Sequence, residues 1–321
     1  MKSSRGLTSK LSPFALRFLS WLLMLTLILP WLVGVGYAST STGIVVNATE
    51  DVKKGNDGRC SLREAIIAAN SDKQSGGKPG ECAAGSGADT ILLPPGTYTL
   101  TRTDNGNEDA SQTGDLDITD SVTISPDPAL PPGEVIIDAS GITDRVFHVI
   151  SGDVTIIGVT LRNGTVNGDG GGVHNRANLT LENSTVSGDS ATHNGGGLYN
   201  TGTLILKKST VSDNSAANDG GGLYNNTAGT LTLNNSTVSG NTSDNSGGGL
   251  FNNSGTTHLN NVTIAYNTAD NDGDEAGDGG GIRIDLGPIN VRNSIIAEND
   301  DNSSTVKLND CRVPSIPQAT T

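Results

Sequence analysis

The chain has 321 residues, with 20 Lys and Arg against 34 Asp and Glu and a formal net charge of −14. So acidic a surface repels nucleic acid and anionic membranes, and keeps an extended extracellular protein soluble. Aromatics are only 3% of residues while glycine alone supplies 43, a composition poor for a globular core and adequate for a narrow aliphatic column.

Residues 1–38 read as a signal peptide. Lys2, Arg5, Lys10 and Arg17 form a basic region, Phe18 to Val33 is apolar, and Gly36-Tyr37-Ala38 supplies small residues for cleavage. The alternative is an uncleaved membrane anchor, since Phe18–Gly36 is just long enough to span; Pro30 and the small-residue exit favour cleavage. Any membrane contact is expected through this segment alone. In an exported chain three cysteines leave one odd. Cys60 and Cys82 are the candidate disulfide, a bridge that stabilises by about 3 kcal/mol. Cys311 is then free, or its partner lies beyond Thr321.

Residues 39–110 read as an N-terminal cap with the first coils. Ser61 and Glu64 form a capping box, so a helix is expected to start there. Leu62, Ala65, Ile66 and Ala69 share one face. A short amphipathic helix ahead of a solenoid is a plug for its open end.

Residues 111–299 read as repeats. GGGVHN, GGGLYN, GGGLYN, GGGLFN and GGGIRI begin at Gly170, Gly195, Gly220, Gly247 and Gly279. A period in the twenties marks a solenoid whose single coil cannot offset its own chain entropy. One strand column reads Val154-Thr-Ile156, Leu179-Thr-Leu181, Leu204-Ile-Leu206, Leu231-Thr-Leu233, Thr257-His-Leu259 and Ile289-Asn-Val291, with the first and third residue of each inward. A second is Leu161, Val186, Val211, Val238, Ile264 and Ile296. A third is Val173, Leu198, Leu223, Leu250 and Ile282. Three strands per coil, all facing inward, describe an all-β parallel β-helix solenoid with a short N-terminal capping helix. Two asparagine ladders hold the corners: Asn214, Asn241, Asn267 and Asn299 with Asp189, and Asn175, Asn200, Asn225 and Asn252. Their residue type tolerates left-handed turns and bonds from coil to coil. The column His174, Tyr199, Tyr224, Phe251 is expected to stack as structure rather than serve as a sugar platform. Glu182 and Lys207 read as an exposed ion pair. The N-x-S/T matches at Asn183, Asn235 and Asn261 follow from the repeat.

The string Cys60-Ser-Leu-Arg-Glu-Ala65 resembles the signature of the CSLREA-domain family of exported bacterial proteins. The likeness runs on through Asp89–Tyr98, Gly114–Ile118, Val135–Asp138 and Asp144–Phe147. The glycine repeats are similar to polymorphic-outer-membrane-protein-like repeats. What the resemblance implies is a right-handed parallel β-helix of the pectin-lyase-like type, on or outside a bacterial cell, with no established reaction. Asn293–Asn299 with Asp310-Cys311 resembles the start of a C-terminal anchor-type segment, so 300–321 is expected to be a tail with a truncated anchor.

A pectin-lyase-like fold raises the question of polysaccharide cleavage. The outward column Ile157, Glu182, Lys207, Asn234, Asn260, Arg292 holds no acidic cluster. Asp115 and Asp117 are the candidate catalytic pair: glycosidases place two carboxyl groups about 5–9.5 Å apart, and strand spacing with Leu116 turned away puts these two on one face. Asp272, Asp274, Glu275 and Asp278 offer oxygen ligands for calcium in the longest insertion, against the plainer reading of a solvated acidic loop. His148, His174, His193 and His258 show no triad or metal spacing, and no other cofactor is called for. The expectation is an exported or cell-surface protein without enzymatic activity, acting in adhesion, envelope structure or contact with an extracellular glycan. The alternative is an extracellular polysaccharide lyase or glycoside hydrolase.

Overall fold

The computed structural model describes residues 43–103, 108–273, 277–303 and 309–312; the expected signal peptide lies outside them. Among the described residues no helix is long and apolar enough to cross a membrane. The described residues all belong to one compact unit.

The chain winds through four sheets, all parallel, so that each strand pairs with its counterpart one coil away. This is the parallel β-helix. The first sheet has nine strands, from Ile44–Val45 through Asn178–Glu182 to Ile289–Arg292. The second has eight, from Gly96–Thr99 to Ile295–Ala297, and the fourth has eight, from Leu116–Ile118 to Cys311–Arg312.

The third sheet corrects the sequence expectation of three strands per coil. Six two-residue strands, from Thr165–Val166 to Asp300–Asp301, form a further wall. Its inward side chains are mostly small: Ala191, Ala216, Ser243 and Ala269 are buried, with Val166 and Asp301 at the two ends. Two residues give no alternation to detect, and alanine or serine adds no aliphatic signal.

The three expected columns face inward. Leu179, Leu181, Leu204, Leu206, Leu231 and Leu233 are at most 1% exposed, and Thr257 is buried in the place of an aliphatic. At the last coil the same column opens, with Val291 45% exposed. Parallel pairing puts identical side chains directly above one another, and burial comes from the coils on either side. Glu182 and Lys207 are register partners, but no ion pair joins them, which corrects the pairing expected from sequence.

The corners divide into different roles. In the ladders, Asn214 Nδ2 donates to Asn241 Oδ1 at 2.9 Å, Asn241 to Asn267 at 2.8 Å and Asn267 to Asn299 at 2.8 Å. The second ladder runs Asn175, Asn200, Asn225, Asn252 at 2.8, 2.8 and 2.9 Å. Left-handed backbone falls elsewhere, on Asn183, Lys208, Asn235, Asn261 and Asn293. Sequence reading merged the two roles because both columns are rich in asparagine. In the glycine triplets the first residue has positive φ, as at Gly220 (69°), whereas at the second a Cβ has no room: at Gly221 it would lie 2.1 Å from the Thr242 carbonyl oxygen.

The cap holds a helix, α1 (Leu62–Ser71), with Ser61 as N-cap and both halves of the capping box made. Leu62, Ala65, Ile66 and Ala69 are buried as expected. Arg63 and Glu64 are buried too. The Arg63 guanidinium pairs with Asp51 through Nε (2.6 Å) and Nη2 (3.1 Å), and donates to the carbonyls of Gly114 (2.8 Å) and Asp115 (3.0 Å). Cys60 and Cys82 are bridged, and Cys311 is a free, exposed thiol.

Candidate functional site

The outward face of the fourth sheet carries one continuous column. Register places Asp117, His148, His174, Tyr199, Tyr224, Phe251, Arg283 and Arg312 in line, one per coil. The five rings contact one another in sequence, with centroids 5.0 to 5.2 Å apart. Tyr224 and Phe251 stack almost parallel, at 2°. Asn226 and Asn253 donate to the hydroxyls of Tyr199 and Tyr224. The rings turn toward one another and leave Tyr199, Tyr224 and Phe251 at most 9% exposed, which makes the column a poor platform for a sugar. Burial raises the Tyr224 hydroxyl to about 12 and lowers His174, beside His148, to about 3. His174 is therefore neutral at physiological pH.

The polar head of the column is the chemically dense part. Glu108 accepts the amides of Ala110, Gln112 and Thr113, and so folds the segment leading into the first strand of the fourth sheet. Arg63 fixes the same segment through its carbonyls. Both features close the segment over Asp115 and Asp117, which are 3% and 0% exposed. Asp115 Oδ2 accepts from Arg145 Nη1 at 2.9 Å. Burial, with Asp117 and Asp144 nearby, holds the Asp115 carboxyl well above the usual range, against the pull of Arg145. Asp117 Oδ2 accepts from the Ser111 amide at 2.9 Å, and burial raises its carboxyl as well.

The candidate catalytic pair thus stands on one face, with Leu116 turned into the core. It lacks access: the cap segment and Arg145 fill the space a glycosidic bond would need. Of the calcium candidates, Asp278 pairs with Arg283 and, at 3.4 Å, with Arg312. Asp272 is exposed, and Asp274 and Glu275 lie outside the described residues.

The structure adds residues that sequence reading missed. His148 Nδ1 faces Asp109 Oδ1 at 3.4 Å and Asp117 Oδ1 at 3.5 Å. These three residues form a group able to hold a metal ion. His148 lies on a coil without the glycine triplet, so repeat alignment stops one coil short of it; extending the register through Phe147 and Val173 would have found it.

Elsewhere the outer surface carries polar rows. Thr160, Thr185, Thr210, Thr237 and Thr263 form a hydroxyl ladder along the second sheet. At the far end of the first sheet, a depression of about 370 Å³ is lined by His258, Leu259, Asn260, Asn290 and Arg292.

Fold and site together define a capped parallel β-helix of polar-faced coils. One of these coils is similar to a known repeat: the model of the Chlamydia polymorphic membrane protein repeat matches residues 208–226. No curated protein and no solved structure matches the chain.

Proposed function

We propose that this chain is an exported β-helix protein displayed at a bacterial surface, where it serves adhesion, envelope structure or glycan contact without cleaving its ligand. The observation that carries this reading is the coil at 208–226, which matches a repeat of polymorphic membrane proteins within a long stack of like coils. Three further features support it. The Cys60–Cys82 bridge needs an oxidising compartment. The string Cys60–Ala65 agrees with membership of the CSLREA-domain family. The hydroxyl ladder and the depression over Asn260, Asn290 and Arg292 offer hydrogen-bonding groups suited to a carbohydrate. A polysaccharide lyase or glycoside hydrolase fits less well, because Asp115 and Asp117 are enclosed.

Surface display is tested through Cys311. Intact cells making the full chain are treated at pH 8.5 with a membrane-impermeant maleimide; the alkaline pH suits a thiol that burial pushes up. Labelling of Cys311 without lysis is the expected result, and labelling only after lysis overturns surface display. A panel of acidic and neutral glycans tests the second half. Retention without cleavage is expected. Cleavage that is lost on Asp115→Ala would show an enzyme instead.

A further inference from the structure

We propose that Asp109, Asp117 and His148 form a binding site for a divalent transition metal ion of the zinc type, which ties the cap segment to the first coils. His148 Nδ1 lies 3.4 Å from Asp109 Oδ1 and 3.5 Å from Asp117 Oδ1. Charge-assisted hydrogen bonds between nitrogen and carboxylate run at about 2.7–2.9 Å, so His148 meets the two carboxylates only through loose ion pairs. The two separations match the edge of a coordination tetrahedron. Zinc bonds of about 2.0–2.1 Å to nitrogen and oxygen place neighbouring ligand atoms roughly 3.3 Å apart. The two carboxylate oxygens also lie within 4.8 Å of each other.

A second, independent observation points into the same space. Asp117 is fully buried, and its Oδ1 has no well-formed hydrogen bond, only the His148 ring nitrogen at 3.5 Å. A buried carboxylate oxygen without a well-formed hydrogen bond is costly, and a cation removes that cost. The other oxygen, Oδ2, is held by the Ser111 amide, which orients the carboxylate as an outer hydrogen bond orients a metal ligand. The Asp109 side chain is 64% exposed, which gives an ion a path in and leaves a fourth position for water.

Ligand chemistry selects the ion. An imidazole with two carboxylates suits zinc and its neighbours, whereas calcium and magnesium prefer oxygen alone and more of it. The site is independent of the surface-display reading, since it concerns only how the cap is fastened.

The test uses the full chain carrying Cys311→Ser, which removes the one free thiol, after chelator treatment and dialysis. Calorimetric titration with zinc chloride is expected to show one saturable ion per chain, with calcium at least tenfold weaker. Cobalt substitution is expected to give the visible bands of a tetrahedral centre. Asp109→Asn alters an exposed residue, so the fold should persist by circular dichroism while zinc affinity falls at least tenfold; His148→Gln should abolish binding. Absence of saturable zinc uptake overturns the site. So does uptake that is unchanged in Asp109→Asn and His148→Gln, which would place the ion at His193 or His258. Calcium binding as tight as zinc overturns the role given to His148.

Discussion

Arg63→Met is the sharpest test of how the cap is held. Methionine keeps much of the volume of a side chain that is 0% exposed, so packing changes little while the charge and all donors vanish. Asp51, 1% exposed, loses its partner, and the carbonyls of Gly114 and Asp115 lose their shortest donors. Breaking a buried ion pair from one side costs about 3–5 kcal/mol. Asp51 still accepts from the amides of Thr101 and Arg102, so a cost near 4 kcal/mol is expected. Lysine at 63 restores charge without the planar fork and should recover less than half of the loss. A solenoid need not unfold as one unit, so the assay is hydrogen exchange resolved by peptide. At about 1.4 kcal/mol per factor of ten, peptides of the cap should open roughly a thousand times more readily, with the repeats beyond Leu179 close to unchanged. Less than tenfold loss of protection in the cap would show that the Arg63–Asp51 pair does not hold it.

Leu206→Asp puts a carboxylate into a fully buried column and should cost more than about 4 kcal/mol, whereas Lys207→Asp, one residue on and exposed, should stay within about 0.5 kcal/mol; thermal melts by circular dichroism compare them. Gly221→Ala forces a Cβ onto the Thr242 carbonyl oxygen and should lower stability by about 3 kcal/mol, whereas Gly87→Ala, with open space but positive φ, should cost about 1 kcal/mol in the same melts. Asp189→Asn should stabilise the protein at pH 7. Asp189 heads the asparagine ladder: its Oδ1 accepts from the Gly164 amide, while Oδ2 has no partner where the asparagines carry a donor. Burial raises this carboxyl well above its ordinary value. A raised folded-state value means that the stability of the acid form is present below the unfolded value near 4 and is lost as pH rises toward the folded one. The advantage of asparagine should therefore be large at pH 7 and shrink at pH 4, and an advantage independent of pH would show that Asp189 does not titrate with folding.

The inward columns were legible because leucine and valine recur at fixed offsets and alternate with threonine. Asparagine at the ladders was legible for the same reason. The two-residue wall was not, since a Ser-Ala pair carries no period. Arg63 and Glu64 illustrate a different limit: on an amphipathic helix, charges are assigned to solvent, yet these two are buried against Asp51, the Gly114 carbonyl and the Lys54 amide. Asp115 and Asp117 were placed on one face correctly, but the cover over them is the segment just before the strand, folded back by Glu108 and fixed by Arg63 from a helix about 50 residues earlier. His148 is remote in sequence from Asp109 and Asp117, and only the winding of the chain brings the three together.

Coil length varies while the inward columns do not. The turn after Asn226 and the insertion between Ala269 and Ile282 lengthen their coils between strands; the first-sheet strands that follow keep their register, and the fourth sheet shifts once, between Asn252 and Asn253. Selection on the outer loops is thereby uncoupled from selection on the fold. A lineage can diversify what it presents to its surroundings, and an engineer can graft a foreign peptide into the same segments, without rewriting a single core position.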